Sequence, residues 1–361
     1  PTWSPVRPVS PTLGMISGPL FPEAIELAHD GFGTWLAVIS TENDLNELGL
    51  PDLASDGDLL VVRSTDNGLN WSSELSIANS HAIEDNDLGS SASDDFGPAI
   101  ATDGMGTWVV VWQSQYDQAQ QNQFSFRQNY YAVSVDDGDT WTEARAIHNG
   151  QVQDELSKRL SLAYDGVASW IVVWSDDPSN PEVDADIYYS ITQDLESWST
   201  PARVDPPSDS DADTVEDLRP RIVCDQGDCV VTWDVQLLGN RMAIRTARVS
   251  NGSTSFEPKQ TPMDMELYHG RRPDLATNGS RWTLVWEQRL RNVQNSDWDI
   301  WYAYSDNSGS SWSAAAPLNT NHDTDTGDDF EPEITSGANG KWIAAWRSTS
   351  EYPEEPGVSW Q

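Results

Sequence analysis

Basic residues are scarce in this chain. Twenty Lys and Arg stand against 58 Asp and Glu, for a net charge of −38 over 361 residues. No basic footprint is available to hold a phosphate backbone, which excludes nucleic acid as a partner and argues against adhesion to anionic lipid. Long apolar runs are also missing: with no stretch of 18 apolar residues, no segment reads as a membrane-spanning helix. The five histidines, His29, His81, His148, His269 and His322, show no metal-ligating spacing. Cysteine is limited to Cys224 and Cys229 in VCDQGDCVV, too few for a four-ligand zinc site. The residues between them read as a hairpin turn, and paired strand ends bring two Cα atoms within disulfide range. A disulfide there implies an oxidising compartment, so a secreted, cell-surface or periplasmic protein; two free thiols are the alternative. The first residue is Pro1 and no signal peptide precedes it, so the sequence reads as a processed form or a fragment.

Turn formers are plentiful, and they recur. RSTDNGLNWS contains S-x-D-x-G-x-x-W, with Ser64, Asp66, Gly68 and Trp71. The pattern returns at Ser134, Asp136, Gly138 and Trp141, and at Ser305, Asn307, Gly309 and Trp312. A looser copy, one residue longer, runs from Ser190 through Asp194 to Trp198, and a worn one from Ser250 through Gly252 to Phe256. Asp in such a turn accepts bonds from local backbone N–H groups, Asn307 can accept the same bonds, and glycine supplies the positive φ of a tight turn. The Trp is expected to fold beneath the turn and fill space between sheets. These residues are therefore read as structural.

A second repeat precedes the first. DGFGTWLAVIS, DGMGTWVVVWQ, DGVASWIVVWS, DQGDCVVTWDV, NGSRWTLVWEQ and ANGKWIAAWRS align at Trp35, Trp108, Trp170, Cys229, Trp282 and Trp342, 53 to 73 residues apart. Each is a turn signal followed by a short apolar run, the signature of a hairpin leading into a buried strand. A short strand lies upstream of each and a Tyr/Ile/Val-rich strand lies downstream of the first five; the box and a fourth strand follow. Four antiparallel strands in about 60 residues, repeated six times, predict an all-β, six-bladed propeller. Fifteen of the 18 Trp fall at repeat positions, leaving Trp298, Trp301 and Trp360 free for sugar stacking. PTWSPVRPV reads as a fourth strand without a blade. The chain is thus expected to be one domain, 1–361, in which a strand at 1–10 completes the last blade formed by 331–361 and closes the ring.

The S-x-D-x-G-x-x-W repeat resembles the Asp-box, or BNR repeat, of the sialidase-like propellers, and the resemblance covers nearly the whole chain. It implies a glycan-active protein whose box turns lie on one face and whose site lies on the other. A sialidase holds its substrate carboxylate with three arginines and uses a Tyr nucleophile, a paired Glu and an Asp acid/base. Aligning the six first strands puts Ala24, Gly97, Arg159, Arg219, Arg272 and Glu331 at one repeat position. Arg159, Arg219 and Arg272 are the implied carboxylate binders, suited to bidentate recognition of an acidic sugar; the bland alternative pairs them with neighbouring acids, such as Glu155, Asp217 and Asp274. Glu331 is the general-base candidate, Tyr268, Tyr352 and Tyr302 the nucleophile candidates, and Asp95, Asp56 and Asp44 the acid candidates. The first blade departs from the family: FPEAIEL carries no arginine. Two readings follow, an exo-glycosidase of sialidase type and a non-catalytic propeller that binds glycan or other surface proteins. A lyase using His269 as base is a third and weaker one.

No cofactor is required by either reading. Alternating Asp209, Asp211 and Asp213 in DSDADTVED, and Asp323 and Asp325 in NHDTDTGDD, suit the oxygen-rich shell of Ca2+. Solvated acidic loops are the alternative.

Overall fold

The computed structural model describes residues 22–41, 58–72, 76–77, 93–116, 126–148, 160–176, 185–205, 216–237, 241–250, 253, 255–257, 260–293, 296–322, 324, 326–337 and 340–349. Among them the regular structure is 21 strands and no α-helix. The chain divides into two compact units, Pro1–Arg203 and Val204–Gln361.

The first unit holds three four-stranded antiparallel sheets. They are β1 (Pro22–His29), β2 (Trp35–Thr41), β3 (Asp58–Ser64) and β4 (Ser76–Ile77); β5 (Ser93–Thr102), β6 (Trp108–Tyr116), β7 (Phe126–Ser134) and β8 (Arg145–Ala146); and β9 (Ser161–Tyr164), β10 (Trp170–Asp176), β11 (Asp186–Thr192) and β12 (Ala202–Arg203). The second unit holds a three-stranded sheet, β13 (Glu216–Asp225), β14 (Asp228–Leu237) and β15 (Arg241–Val249). A four-stranded sheet follows: β16 (Tyr268–Thr277), β17 (Trp282–Leu290), β18 (Asp299–Ser305) and β19 (Ala316–Pro317). Last comes a pair, β20 (Asp329–Gly337) and β21 (Lys341–Ser348). In every sheet sequential strands are neighbours. Residues 1–21 and 350–361, expected to supply the closing strands, lie outside the described residues.

The second strand of each repeat explains the tryptophans. WVVVW in β6 is buried on both faces: Trp108, Val110 and Trp112 pack with Leu36, Val38, Leu59 and Val61 of the sheet before it. Val109 and Val111 pack with Trp170, Val172 and Trp174 of the sheet after it. A strand sandwiched between sheets loses the polar/apolar alternation of a half-exposed one, so it reads as a continuous apolar run. In the second unit Trp282, Leu284 and Trp286 pack with Val230, Val235 and Ile244 in the same manner. Trp342 and Trp346, expected in the core with the others, are only half-buried. They lie on β21, whose sheet shows just two strands among the described residues.

The S-x-D turns share one hydrogen-bond pattern. Ser64 Oγ donates to Asp66 Oδ1 at 2.9 Å and accepts the Gly68 N–H at 2.9 Å, while Asp66 Oδ1 accepts the Asn70 N–H at 2.8 Å. Ser134, Asp136, Gly138 and Thr140 repeat it, as do Ser305, Asn307, Gly309 and Ser311. Side-chain and backbone bonds from Asn70 and Thr140 hold the Asp66 and Asp136 carboxyls below the usual range. The turns press closely on the preceding sheet: a Cβ on Gly138 would meet Leu36 Cδ1 at 2.6 Å, and one on Gly309 would meet Val230 Cγ2 at 2.7 Å. Trp141, Trp198 and Trp312 are half-buried against the cores beside them.

The looser copy is corrected by the ladder. Trp35, Trp108 and Trp282 pair with Ser64, Ser134 and Ser305, but Trp170 pairs with Thr192, not Ser190. Thr192 Oγ1 bonds Asp194, and backbone N–H groups of Ser197 and Glu196 draw the Asp194 carboxyl down to about 2. Counted from Thr192 to Trp198 this turn is one residue shorter than the others, and Ser190 instead bonds the Ser199 carbonyl. The worn copy likewise starts from Val249, the partner of Cys229. Cys224 and Cys229 are opposite one another in the β13–β14 hairpin and are joined by a disulfide.

Candidate functional site

Four first strands break their ladder in one way. In β5, β13, β16 and β20 two residues oppose a single one on the neighbouring strand: Gly97-Pro98, Arg219-Pro220, Arg272-Pro273 and Glu331-Pro332. Proline has no N–H to donate to the ladder, so an X-Pro pair inside a strand reads as a bulge. The residue before each proline has positive φ, at 59° for Gly97, 54° for Arg219, 52° for Arg272 and 52° for Glu331. Glycine adopts this readily; Arg and Glu do not, and such strain concentrates at functional positions. Ala24 behaves differently. With Ile25 where the others have proline, Ala24 pairs with Ser40, and the irregularity falls between Pro22 and Ala24.

In the second unit the bulges bring a charged cluster together. Arg219 Nη2 bonds Asp234 Oδ2 at 2.5 Å. Arg272 Nη1 lies 3.3 Å from Glu287 Oε1 and 3.4 Å from Glu331 Oε1, and Arg347 Nη2 lies 2.8 Å from Glu331 Oε2. Glu287 is fully buried and holds the group in place: it also accepts Arg271 Nε at 2.5 Å and the Glu331 backbone N–H at 2.7 Å. Burial pushes the Asp234 carboxyl up, while the charges of Arg219 and Arg272 pull it back. Arg272 is thus within electrostatic reach of the pair formed by Arg219. Arg219 and Arg272 keep about a third of their side-chain surface exposed. A pair of guanidinium groups fixed from behind by buried carboxylates and open in front is suited to an external carboxylate.

The partners expected from proximity in sequence are not the observed ones. Asp217 faces Arg245 at 3.7 Å and Asp274 faces Arg221 at 3.8 Å. The arginines at 219 and 272 reach instead to Asp234 and Glu287, each the fifth residue after the aligned strand-two position (Cys229 and Trp282). Arg347 stands at that position in the last repeat, and Ser40, Gln113 and Ser175 in the first three. Asp234, Glu287 and Arg347 were therefore legible as one repeat column. Arg271 had no such signal; its guanidinium lies 3.9 Å over the Trp298 ring, which Arg289 also covers at 4.5 Å. Trp298, expected to be available for sugar stacking, is 5% exposed and occupied by these two groups.

The remaining candidates scatter. Asp95 is buried in β5 of the first unit, opposite Ser114. Tyr268 opens β16 with its ring 5.3 Å from Trp301, lining a groove with no arginine in its wall among the described residues. Among the described residues no tyrosine hydroxyl is hydrogen-bonded to Arg219, Arg272 or Arg347. His269 Nδ1 accepts the Met242 N–H at 3.3 Å, and burial, with Arg289 and Arg291 nearby, lowers its pKa. Arg159, Tyr352, Trp360, Glu155, Asp44, Asp56, Asp209, Asp211, Asp213, Asp323 and Asp325 lie outside the described residues.

No family model and no curated protein matches the chain in sequence. Solved structures do match. A protein of unknown function from Dyadobacter fermentans superposes with a TM-score of 0.54 at 15% identity, covering 91% of this chain and 93% of that one. Trypanosoma rangeli sialidase superposes with a TM-score of 0.50 at 11% identity over 91% of this chain and 52% of its own, so the chain spans about half the length of that enzyme. A Hadza microbial sialidase aligns at 17% identity over 86% of this chain and 60% of its own, with a TM-score of 0.49. At these identities the likeness is one of fold.

Proposed function

We propose that this chain, which has the fold of the sialidase-like β-propellers, is a secreted glycan-active protein that recognises the carboxylate of an acidic sugar at Arg219 and Arg272. The observation that carries this is the pair of bulges. Two arginines occupy one repeat position in adjacent sheets, each in a strained conformation and each braced by a buried carboxylate. Arg159 holds the same repeat position in the sequence. Hydrolysis of a sialoside-type bond is the activity that fold and site together favour, with Glu331 as the general base beside Arg272. The full architecture is six blades, with residues 1–10 adding a strand to the β20–β21 sheet. The disulfide supports an oxidising compartment.

A second reading is favoured by a separate observation: each described arginine of the cluster already faces a protein carboxylate, and no tyrosine is bonded to any of them. On that reading the propeller binds an acidic glycan or a surface protein without cleaving it. Assays on a fluorogenic sialoside and on uronic-acid polysaccharides, with Arg159, Arg219 and Arg272 each changed to Ala, separate the two. Turnover that each change abolishes supports the hydrolase; binding without turnover supports the module; neither binding nor turnover refutes the arginine site. Calcium belongs to the same proposal for the loops carrying Asp209, Asp211, Asp213, Asp323 and Asp325, where it stands on the alternation of ligands in the sequence. Chelation is then expected to lower the melting temperature, and an unchanged melt removes calcium from the account.

A further inference from the structure

Beside the β16–β19 sheet, in the second unit, lies an open groove of about 790 Å³. It is distinct in composition from the arginine cluster. Its aromatic wall is Trp301 and Tyr268, with rings 5.3 Å apart and tilted by 50°, and Trp312 stands beside them. The Trp312 indole N–H is already committed to Thr246 Oγ1 at 3.1 Å, which fixes that ring. The Tyr268 hydroxyl makes no hydrogen bond among the described residues.

The floor carries an unmet donor. Gln288 is 1% exposed and its Oε1 accepts the Trp286 indole N–H at 2.9 Å, which sets the orientation of the amide. The opposite end of that amide, Nε2, has no acceptor. A buried donor without a partner costs about 1–3 kcal/mol, and because Gln288 lines the groove, a small shift of its side chain would present this donor to a ligand oxygen. Gly270 is the cross-strand neighbour of Gln288. A Cβ there would meet Met263 Sδ at 2.5 Å, so the glycine allows Met263 to close the groove from the side.

The charge around it narrows the ligand. Among the described residues no Lys or Arg lines the groove, and Asp264 does, so the described wall offers an anionic ligand no counter-charge. Flat aromatic faces offer an apolar platform, while a recessed amide donor asks for a small acceptor such as a hydroxyl. A sugar ring presents both, a C–H face and hydroxyl oxygens, and pockets of this kind combine apolar walls with a few placed polar groups. We propose that this groove is a binding subsite for a neutral saccharide, in which the ring stacks on Trp301 and Tyr268 and a hydroxyl accepts from Gln288 Nε2. Tyr268 is then a stacking residue of this subsite, not a nucleophile at the arginine cluster.

The test titrates the full chain with neutral disaccharides (arabinobiose, xylobiose, cellobiose, maltose and chitobiose) by saturation-transfer NMR and calorimetry. Binding of at least one is expected. Trp301→Ala and Gln288→Leu should each weaken it about tenfold, and Trp301→Ala should leave recognition of an acidic sugar at the arginine cluster unchanged. Melting curves check that each variant folds. Should Trp301→Ala fail to fold, Trp301→Phe, expected to retain binding partly, and Tyr268→Ala take its place. No binding of any disaccharide overturns the proposal, as does binding that survives both the aromatic and the Gln288 changes. The arginine site can fail its own assay without affecting this one, because the two sets of variants share no residue.

Discussion

Replacing Glu287 with Gln is the sharpest perturbation of the arginine site. The Glu287 carboxylate is fully buried and accepts from Arg271 Nε, Arg272 Nη1 and the Glu331 backbone N–H. Gln keeps the shape but has one acceptor oxygen. If that oxygen stays on Arg271, the new NH2 faces the Arg272 guanidinium and the Glu331 N–H, donor against donor. If the amide flips, Arg271 loses its partner. Breaking a buried ion pair on one side costs about 3–5 kcal/mol, and because Arg271 retains some solvent and the Trp298 ring, about 3 kcal/mol is the better figure. The unfolding entropy near 60 °C is about 2.1 cal/mol/K per residue, so that loss lowers Tm by roughly 4 °C if all 361 residues melt together. It lowers Tm by roughly 9 °C if residues 204–361 melt as their own unit. Calorimetry reads the shift and the cooperativity in one scan. Acidic-sugar binding should fall at least about tenfold, because Arg272 loses its brace. A melt within 1 °C of the parent, with binding intact, would refute the reading that Glu287 organises the site.

Three further expectations follow from particular contacts. Burial, with Glu333 nearby and Arg221 opposing, pushes the Asp274 carboxyl up to about 7, so the folded state holds a proton that the unfolded state releases near 4. This contribution weakens the fold as pH rises from about 4 to 7, and Asp274→Asn should flatten that part of the Tm profile; a variant equally destabilised at pH 5 and pH 8 refutes it. Gly138→Ala should cost about 2–4 kcal/mol, from positive φ plus the clash with Leu36, whereas Gly31→Ala, at φ 80° with open space around it, should cost only about 1 kcal/mol. Equal urea midpoints for the two would sink the close-packing argument. The Cys224–Cys229 bridge closes only a small loop, so reducing it should cost about 2 kcal/mol, read as a modest Tm drop in reductant.

The architecture was legible because it repeats. The Trp-rich second strands and the S-x-D turns mark the sheets, since a strand buried on both faces and a turn closed by Ser, Asp and Gly each impose a composition independent of neighbouring loops. The shifted start of the loose turn was not legible. Ser190 and Thr192 can both open such a turn, and only the ladder distinguishes them, Trp170 facing Thr192. The partners of the arginines were missed for a different reason. Nearness in sequence favours Asp217 and Asp274, but a strand alternates its faces, and a bulge with positive φ re-aims its side chain toward the neighbouring strand. The X-Pro dipeptides were the visible sign of those bulges.

One consequence concerns how a repeated fold acquires a site. The box and the strand-two core positions are held nearly constant from repeat to repeat, because each has to satisfy the same turn and the same sheet spacing. The bulge column and the fifth residue after the aligned strand-two position are free of that demand, and in five of the six repeats they vary as pairs, the exception being Arg159 with Ser175. Ala24 with Ser40 and Gly97 with Gln113 are uncharged; Arg219 with Asp234 and Arg272 with Glu287 are cation and anion; Glu331 with Arg347 is the same pair reversed. The reversal gives the cluster its reach across sheets. Glu331 forms an ion pair with Arg272 of the neighbouring sheet as well as with Arg347 of its own, so the second and third pairs lock together where two like pairs would repel. Exchanging Glu331 and Arg347 tests this directly. The in-sheet pair survives the swap, but Arg272 then faces another guanidinium, so Tm and acidic-sugar binding should both fall. Adding Arg272→Gln to the swap removes the contact between guanidinium groups while keeping a donor for Glu287, and should recover part of the Tm but none of the binding. Stability that ignores the orientation of the pair would show that the cross-sheet contact contributes nothing.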